Sequence, residues 1–414
     1  MKLRNSRVIT AAAIGSVLLL SLAACRGSDT GSEGGGGGEA AGDDTITIGV
    51  LATDTGNLAF GMDAAKEAIN AVLKAEGDTI GGKKLEFVYE GTDGTSSSAQ
   101  TKVKKLVEND GVDIVLGPVS GDEGETVTQY ALTVPDVTFV NGSASPVSQT
   151  LEGATNFFRF HGDSAMWMGG VGDYAYNEKG YKKIYGVAED YSFPYDNAGG
   201  FFSEFCAAGG DLTGFSWVPV GTTDYATIIS QIPRDVDAVY VGLGGADAAS
   251  FLSQAVTNGL TKPLVGGSIA VDPTALGGDA NIRDAAIGTI TGGPVPGSGY
   301  DTPEWNQFLT EIPTPNIFSL LYYNSFKSLY LGLKATDGEL GDGQETLRDA
   351  LKSLDWDSPT GNITLDKNNQ GIVDNFITEV QANDDGTLGT VTISEDKGVK
   401  QGTTVYDRFE SCPS

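Results

Sequence analysis

The segment TITIGVLATDTGNLAFGMDAAKEAINAVLKAEGDTIGGKKLEFVY, residues 45–89, contains the first instance of the pattern that decides the fold. It begins with a run of β-branched and apolar residues, 45–52, which predicts a buried strand. Apolar residues then recur at helical spacing over 60–75, and a second strand pattern follows at 85–89. A strand, a helix and another strand in this order are typical of a βαβ unit in a parallel sheet.

The same alternation continues in two series, one before and one after His161. We therefore predict an α/β protein with two doubly wound sheets. Ligands of such sheets bind outside the carboxyl ends of the strands, so two facing sheets would enclose a cleft. The Gly/Pro-rich stretch 292–297 predicts a linker. The further predicted strands are 112–116, 137–140, 183–187, 239–242, 263–265, 375–380 and 391–393, and the further helices include 122–132, 167–178, 196–208, 223–232, 246–258, 305–308 and 318–335.

The composition excludes several classes of function. The 414 residues include 55 acidic and 26 basic side chains, a formal charge of -29, whereas binding to nucleic acid needs a basic surface. His161 is the only histidine, so no histidine relay or two-histidine zinc site can form. The chain contains no G-x-S-x-G, H-E-x-x-H or P-loop motif. We expect a binding protein that is not an enzyme and uses no cofactor or metal.

The N-terminus has the pattern of an export signal. Three basic residues precede an apolar stretch, 8–24, which is short for a membrane span and ends in small residues. The motif Leu-Ala-Ala-Cys at 22–25 resembles the bacterial lipobox, which implies that Cys25 is lipidated; the alternative is an ordinary signal peptide with an incidental cysteine. We predict a lipoprotein signal peptide at 1–24 and, from its Gly/Ser/acidic composition, a flexible tether at 25–44. The folded body would then lie outside the cytoplasmic membrane, held to it only by the lipid.

Two cysteines remain beyond the lipobox, Cys206 and Cys412. An even number of cysteines in an exported protein favours a disulfide, here between a helix in the middle of the chain and the extreme C-terminus. Two free buried thiols are the alternative.

Several segments together resemble one known family. They span about residues 46 to 380 and occur in the order expected for the leucine-isoleucine-valine-binding type of periplasmic substrate-binding protein, the extracytoplasmic receptor of ABC importers. The segments are IGVLATDTGNLAFG (48–61), IGGKKLEFVYEGTDG (80–94), LVENDGVDIVLGPVSG (106–121), VPDVTFVNGSASP (134–146), FFRFHGD (157–163), DYSFPYDNAGGFF (190–202), TTDYATIISQIPRDVDAVYVGLGG (222–245) and LYYNSFKSLYLGL (321–333).

The resemblance implies two Rossmann-like lobes joined by three hinge crossings, with a ligand cleft between them. The crossings would lie near Gly162, Gly293 and Thr364. The first lobe would comprise residues 45–162 plus 294–364, and the second lobe residues 163–292 plus 365–408.

The resemblance also implies which residues of the first lobe contact the ligand. Phe60 holds the place of the aromatic residue that covers the ligand, with a core role at a helix start as the alternative. Ser120, Gly121 and Asp122 form the loop that binds the ligand through a hydroxyl and backbone N–H groups. Gly121 stands where the family often has serine, although N–H groups at a helix start could still hold a carboxylate.

The next loop, Gly142, Ser143 and Ala144, resembles a family segment that gives polar contacts to the same carboxylate, with an ordinary turn as the alternative. In the second lobe Tyr195 matches a tyrosine that closes over the ligand. Phe318 would line the side-chain pocket or belong to the core.

Ser268 is a departure from the family, because amino-acid-binding members carry there a glutamate that pairs with the ligand's ammonium. A buried ammonium without a carboxylate partner is costly. Either Asp122, Asp247 or Asp272 supplies the charge, or the ligand has no ammonium.

The expected function is therefore that of a monomeric, lipid-anchored receptor that captures a small polar solute and presents it to ABC permease subunits. The solute would be an amino acid, such as a branched-chain one, or a related amide or carboxylate. The alternative is a sensory lipoprotein of the same fold that passes its ligand state to a signalling partner.

Overall fold

The computed structural model describes residues 44–277 and 280–413. The predicted signal peptide, Cys25 and the tether up to residue 43 lie outside the described residues. The predicted α/β fold with two sheets in two lobes is confirmed. Within the described residues, no helix is both long and apolar enough to cross a membrane.

The first lobe is built on a six-stranded sheet of order β2-β3-β1-β4-β5-β6. β1 lies at its centre and pairs in parallel with β3 and β4, as the βαβ pattern predicts. The β1 side chains are buried on both faces, because helices cover both sides of the sheet. The strands are β1 (Thr45–Thr53), β2 (Thr79–Ile80), β3 (Lys83–Thr92), β4 (Ile114–Leu116), β5 (Thr138–Val140) and β6 (Phe157–Phe158).

The helices of the first lobe come from two separate parts of the chain. The longest, α12, packs against α1 in the same apolar cluster as β1. The helices of the first lobe are α1 (Gly61–Glu76), α2 (Ser96–Lys104), α3 (Gly121–Ala131), α4 (Ser148–Leu151), α11 (Pro303–Glu311), α12 (Ile317–Ala335) and α13 (Glu345–Lys352).

The second lobe is built on a nine-stranded sheet of order β12-β13-β14-β11-β10-β9-β7-β8, with β15 paired to β14. Strands β7 to β11 are parallel, whereas β14 runs antiparallel to β11. The strands are β7 (Lys183–Glu189), β8 (Asp211–Val218), β9 (Ala238–Gly242), β10 (Leu264–Gly266), β11 (Ile290–Gly293), β12 (Asp355–Ser358), β13 (Gly361–Leu365), β14 (Gly371–Ala382) and β15 (Leu388–Val399). The helices are α5 (Val171–Asn177), α6 (Ser192–Ala207), α7 (Ala226–Gln231), α8 (Gly245–Thr257), α9 (Pro273–Leu276) and α10 (Ala280–Ala286).

The chain passes between the lobes after β6, after β11 and in the region of the β12–β13 hairpin. The first and third passages lie side by side, because the Gly371 N–H donates to the Arg159 carbonyl at 2.7 Å. The hairpin belongs to both lobes: β13 pairs with β14 of the second sheet, while Ile363 packs in the core of the first lobe. The lobe boundaries given above stay a prediction.

The structure corrects three details of the predicted elements. Gly292 and Gly293, assigned to a linker, are the last residues of β11 and pair with β14. Glycine fits there because a Cβ at Gly292 would lie 2.1 Å from the Trp167 carbonyl oxygen. β8 was not predicted, and the β14–β15 hairpin is longer than the two short runs at 375–380 and 391–393.

The C-terminal segment, residues 400–413, runs over the outer face of α6. Cys412 forms a disulfide with Cys206 of that helix. The Tyr406 ring covers Gly199, where a Cβ would lie 2.1 Å from the ring. Phe409 packs edge-on against Trp217, whose indole N–H donates to the Phe409 carbonyl at 2.7 Å. The segment is thus fixed to the second lobe by a covalent bond and by buried aromatic surface.

Candidate functional site

The candidate site lies between the lobes, where the carboxyl ends of β1, β4 and β5 face those of β7, β9 and β10. At this boundary each lobe supplies groups that cap helices of the other lobe. The N-terminal turn of a helix has N–H groups without an intrahelical partner, so these caps satisfy groups that would otherwise be orphaned.

The first such contact joins α3 of the first lobe to α6 of the second. One oxygen of Asp122 accepts hydrogen bonds from the Ser192 hydroxyl at 2.8 Å and from the Ser192 N–H at 3.3 Å. The preceding residue, Gly121, allows this approach: a Cβ there would lie 2.7 Å from the Ser192 oxygen and 3.0 Å from the Phe193 nitrogen. Because glycine stands at the family's serine position, the two lobes approach each other here more closely than a side chain would allow.

The second contact joins the loop after β1 to the start of α8. The Asn57 side-chain oxygen accepts from the Ala246 N–H at 3.1 Å. Its amide nitrogen donates to Glu189 at 3.0 Å and to the Gly244 carbonyl at 3.4 Å. One asparagine of the first lobe thus contacts two strand ends of the second lobe.

The third contact runs in the opposite direction. Asp272, after β10 of the second lobe, accepts from the Ile317 N–H at the start of α12 at 3.2 Å. The N-cap of that helix is Asn316, whose side chain accepts from the Ser319 N–H at 2.9 Å. Asp272 is 8 % exposed, so this carboxyl group lies at a nearly buried boundary between the lobes.

The remaining helix at the boundary, α3, is capped within its own lobe. Ser120 and Glu123 form a capping box in which each side chain accepts from the other's backbone N–H. The Ser120 hydroxyl also donates to the Gly94 carbonyl at 2.7 Å. Burial raises the pKa of Glu123. The Ser120 hydroxyl, expected to hold a ligand, is therefore occupied by these local contacts.

The loop after β5 forms the floor of the first-lobe side. Gly142 lies against the ring of Tyr322, where a Cβ would be 2.3 Å from the nearest ring carbon. The Ser143 N–H donates to the Pro118 carbonyl at 2.9 Å, and Ala144 is buried beside it. These three predicted residues lie together, close under α12.

An aromatic pair covers this floor. The rings of Phe60 and Phe318 lie 5.3 Å apart and belong to the core cluster that crosses the boundary. Phe193 and Tyr191 of the second lobe pack against the same cluster and stack on each other at 6.2 Å. The two predicted phenylalanines are therefore brought together at the meeting point of the lobes.

Tyr195 is not brought together with them. Its ring packs edge-on against Trp217 at 4.9 Å, and its hydroxyl donates to Asp190 at 2.5 Å. Burial and the Asp190 contact raise the pKa of Tyr195. Tyr195 thus belongs to the core of the second lobe, and Tyr191 is the tyrosine that lies with the phenylalanine pair.

Two carboxyl groups form a hydrogen-bonded pair at the second-lobe strand ends. Glu189 is 1 % and Asp247 2 % exposed. Burial, followed by the charge of Asp247, raises the pKa of Glu189 well above its ordinary value, and burial raises that of Asp247. Each carboxyl group therefore disfavours ionisation of the other, in addition to the effect of burial. The buried Tyr225 hydroxyl beside them has no hydrogen-bond partner in the described part of the chain.

A cavity of about 370 Å³ lies between β10, β11 and the β14–β15 hairpin on one side and the α11–α12 segment on the other. Its walls therefore come from both lobes and from the second passage between them. Among the described residues that line it there is no lysine, arginine or histidine. Six of the lining residues are Ser268, Asp272, Thr291, Trp305, Ile317 and Thr378.

Ser268 links this cavity to the strand ends. Its hydroxyl accepts from the Asn197 amide at 3.1 Å, and its N–H donates to the same side chain at 3.2 Å. Asn197 also accepts from the buried Tyr240 hydroxyl at 2.9 Å. The serine at the family's glutamate position is thus held by a neutral network without a charged group.

Comparison with known proteins identifies the family. A family model described as periplasmic binding protein matches residues 45–387. The chain belongs to the periplasmic binding protein family. A curated relative, the Leu/Ile/Val-binding protein homolog 6 of Brucella melitensis, is 25 % identical over 359 residues, 83 % of this chain and 90 % of the relative.

Solved structures of the same fold are also similar to this periplasmic binding protein. An ABC transporter substrate-binding protein from Sphaerobacter thermophilus is 25 % identical, with a TM-score of 0.77, and the match covers 86 % of this chain and 99 % of that one. A solute-binding protein of an ABC transporter from Rhodopseudomonas palustris BisB5, in complex with 3,4-dihydroxybenzoic acid, is 23 % identical, with a TM-score of 0.79 and coverage of 86 % and 99 %.

Several boundary residues of this periplasmic binding protein were not singled out from the sequence. Asn57 lies in the loop after the predicted strand 45–52, Glu189 and Tyr191 lie shortly after the predicted strand 183–187, and that position is the available signal. Their partners are far away in the sequence: Asn57 and Glu189 are 132 residues apart. Within the described residues, no group of three or more histidine, cysteine or acidic side chains could hold a metal ion.

Proposed function

We propose that this chain is the lipid-anchored, extracytoplasmic solute-binding receptor of an ABC importer, acting as a monomer and without catalysis. It captures a small solute between its lobes and presents the closed form to the permease subunits. The observation that carries the proposal is the cavity whose walls come from both lobes, because a small solute held there would contact both of them. Membership in the periplasmic binding protein family supports the same function.

The ligand contacts follow from the residues at the boundary. Phe60 and Phe318 would provide apolar surface, and Ser268 with Asp272 would provide polar groups at the cavity wall. We place Tyr191 in this set instead of Tyr195, because Tyr191 packs on the core cluster that contains both phenylalanines.

The other predicted residues have supporting positions. Gly142, Ser143 and Ala144 form the floor. Gly121 and Asp122 form the contact with the opposite lobe.

The proposed mechanism of solute capture is the opening and closing of the two lobes. Separating the lobes breaks the contacts of Asp122, Asn57 and Asp272 with the opposite lobe and exposes the aromatic pair to water. A ligand that binds between the lobes shifts the population towards the closed form by its difference in affinity for the two forms. The permease can then distinguish loaded from empty receptor by the relative position of the lobes.

The relatives indicate the size of the solute. The Rhodopseudomonas protein holds an aromatic acid, and the Brucella relative is named for leucine, isoleucine and valine. The 370 Å³ cavity is within the range of about 300–1,000 Å³ that is common for small-molecule sites. We therefore propose a solute of amino-acid or single-ring size: an amino acid, such as a branched-chain one, or a related amide or carboxylate.

Binding is tested with the protein from residue 25 onward, purified without denaturation. Mass spectrometry after denaturation identifies any co-purified solute, and thermal shift measures binding of amino acids, amides, urea, amines and aromatic acids. We expect at least one compound to raise the melting temperature in a saturable way. A panel without any binding compound, together with an empty protein, would contradict the proposed function.

Anchoring and import need two further measurements. Labelled palmitate supplied to growing cells should be incorporated into the wild-type chain and not into Cys25→Ser. Uptake of the identified solute should fall in cells that lack the chain. Unchanged uptake with an altered transcriptional response to the solute would favour the sensory alternative.

A further inference from the structure

We infer that the solute carries no carboxylate group and is an uncharged or cationic molecule with an apolar body. This inference rests on the proposed function and narrows its solute class. Three independent features of the boundary between the lobes support it: the occupation of the helix starts, the side chains of the cavity and the position of the nearest cation.

The helix starts at the boundary are already occupied by groups of the chain itself. A helix N-terminus is a natural site for an anion, because its N–H groups are unpaired and its dipole is positive there. Here Asp122 occupies the start of α6 and Asp272 that of α12, both from the opposite lobe. Asn57 occupies the start of α8, and Glu123 that of α3. Of these groups, Asp272 and its donor Ile317 line the cavity, so a carboxylate ligand at the start of α12 would have to displace Asp272 or lie against its charge.

The cavity itself offers no compensating charge. Its described lining lacks basic side chains and includes the carboxyl group of Asp272. An ionised carboxylate moved from water into such a site without a cationic partner or several donors is strongly destabilised. An ammonium or amide N–H can instead donate to Asp272 and to the hydroxyl groups of Ser268 and Thr291.

The nearest buried cation cannot fill this role. Arg159 is fully buried at the first passage between the lobes. Its guanidinium donates to the Pro146 carbonyl at 2.7 Å and to Gln370, Gln149 and Thr150 at 2.5, 3.1 and 3.3 Å. These partners lie in the loop after β5, in α4 and just before β14, and none of them lines the cavity.

Other acidic side chains at the boundary between the lobes also disfavour an anionic solute. Asp122 of the first lobe and the Glu189–Asp247 pair of the second lobe lie near strand ends that face each other, and the whole chain has a formal charge of -29. Their summed field repels an approaching anion and attracts a cation. The apolar part of the lining, which includes Trp305, Ile317 and four prolines on the α11–α12 side and at the second passage, suits a ring or a branched alkyl group.

The test uses matched ligands that differ only in charge. The first set is benzoate, benzamide and benzylamine, and the second is leucine with leucinamide. Binding to the protein from residue 25 onward is measured by isothermal titration calorimetry and by quenching of tryptophan fluorescence, which Trp305 at the cavity wall should report. We expect the amide or amine of a set to bind at least tenfold more tightly than its carboxylate.

Two results separate this inference from the proposed function. Tighter binding of benzoate or leucine than of their amides and amines would overturn the inference and leave the receptor function intact. Absence of binding by these probes and by every compound of the broader panel would reject both.

The variant Asp272→Asn tests the direct contact. The amide oxygen of the introduced asparagine can still accept from the Ile317 N–H, so this hydrogen bond to the start of α12 is retained. We expect a loss of tenfold or more in the affinity for benzylamine and little change for benzamide. Asp237→Asn is the matched control, because Asp237 accepts the N–H groups of Lys182 and Lys183 at the far end of the second lobe. An equal loss for the amine and the amide would indicate that Asp272 only positions α12.

Discussion

Asp122 in the first lobe accepts both the hydroxyl and the backbone N–H of Ser192 in the second, at 2.8 and 3.3 Å. The carboxylate thereby occupies the N-terminus of α6, a helix to which it does not belong. Because the two residues lie 70 positions apart on helices of different lobes, separation of the lobes would break their contact.

Asp122→Ala should therefore favour the open form. The substitution removes the acceptor of two hydrogen bonds, one of them at a helix start, where an anionic partner contributes about 1 kcal/mol. We expect a larger radius of gyration by small-angle X-ray scattering and several-fold weaker ligand binding. Ser192→Ala and the double variant complete a thermodynamic cycle, and fully additive effects would show that the two residues are not coupled.

Gly121→Val should oppose closure by steric conflict. A Cβ at this position would lie 2.7 Å from the Ser192 oxygen and 3.0 Å from the Phe193 nitrogen, which is closer than van der Waals contact. We expect loss of the closed form with nearly unchanged thermal stability, because the clash is relieved by opening. Gly341→Val is the control, since a Cβ there has no neighbour within 4 Å. A Gly121→Val protein as closed as the wild type by scattering would refute the expectation.

Removal of the disulfide should destabilise the C-terminal segment. Cys206→Ser with Cys412→Ser frees the chain end from α6, and loss of a native disulfide commonly costs about 2–5 kcal/mol. We expect a lower melting temperature and faster proteolysis within residues 400–413. Thiol titration of the unfolded, unreduced wild-type protein from residue 26 onward should detect no free thiol, and two reactive thiols would contradict the pairing.

The stability of the folded chain should decrease as the pH rises towards neutrality. Burial, as the largest cause, raises the pKa of Asp196 from 3.8 to about 7, while the N–H groups of Tyr406 and Val147 oppose the shift. The folded state therefore keeps a proton that the unfolded state loses over this range. The contribution of this proton to the free energy of unfolding is complete below pH 3.8 and is lost as the pH rises through about 7.

Urea unfolding at a series of pH values measures this dependence. At about 1.4 kcal/mol per pH unit, one group contributes on the order of a few kcal/mol over the range. Asp196→Asn should have a smaller slope between pH 4 and 7 than the wild type, although its absolute stability is lower because one N–H loses its acceptor. An unchanged slope would assign the pH dependence to other carboxyl groups. Asp237→Asn, at the far end of the second lobe, serves as the control.

The sequence predicts the alternation of strands and helices because buried strands and amphipathic helices have distinct apolar periods. The sequence pattern does not predict β8, because the segment DLTGFSWV contains a glycine and the strand is half-exposed at the sheet edge. The glycine and proline content of 292–297 predicts a linker because glycine favours flexible backbone, whereas in the structure Gly292 allows β11 to pack closely against Trp167.

The candidate site was predictable only in part. Strand ends indicate where a cleft lies, so Phe60, Phe318 and Ser268 could be selected from a family resemblance. The helical pattern does not distinguish Tyr191 from Tyr195 near the start of α6, whereas the structure packs Tyr191 on the first-lobe core cluster and Tyr195 against Trp217. The pairing of Asn57 with Glu189 depends on the relative position of two lobes, which no local pattern encodes.

The attachment of the chain end to α6 makes the C-terminus a natural position for an optical reporter. Ser192 at one end of that helix touches the opposite lobe, and Cys206 near the other end holds Cys412. A fluorescent protein fused after residue 414 would be carried by the second lobe. Energy transfer to a dye on the first lobe would then report closure of the lobes. The fusion protein would therefore serve as a genetically encoded biosensor for the solute.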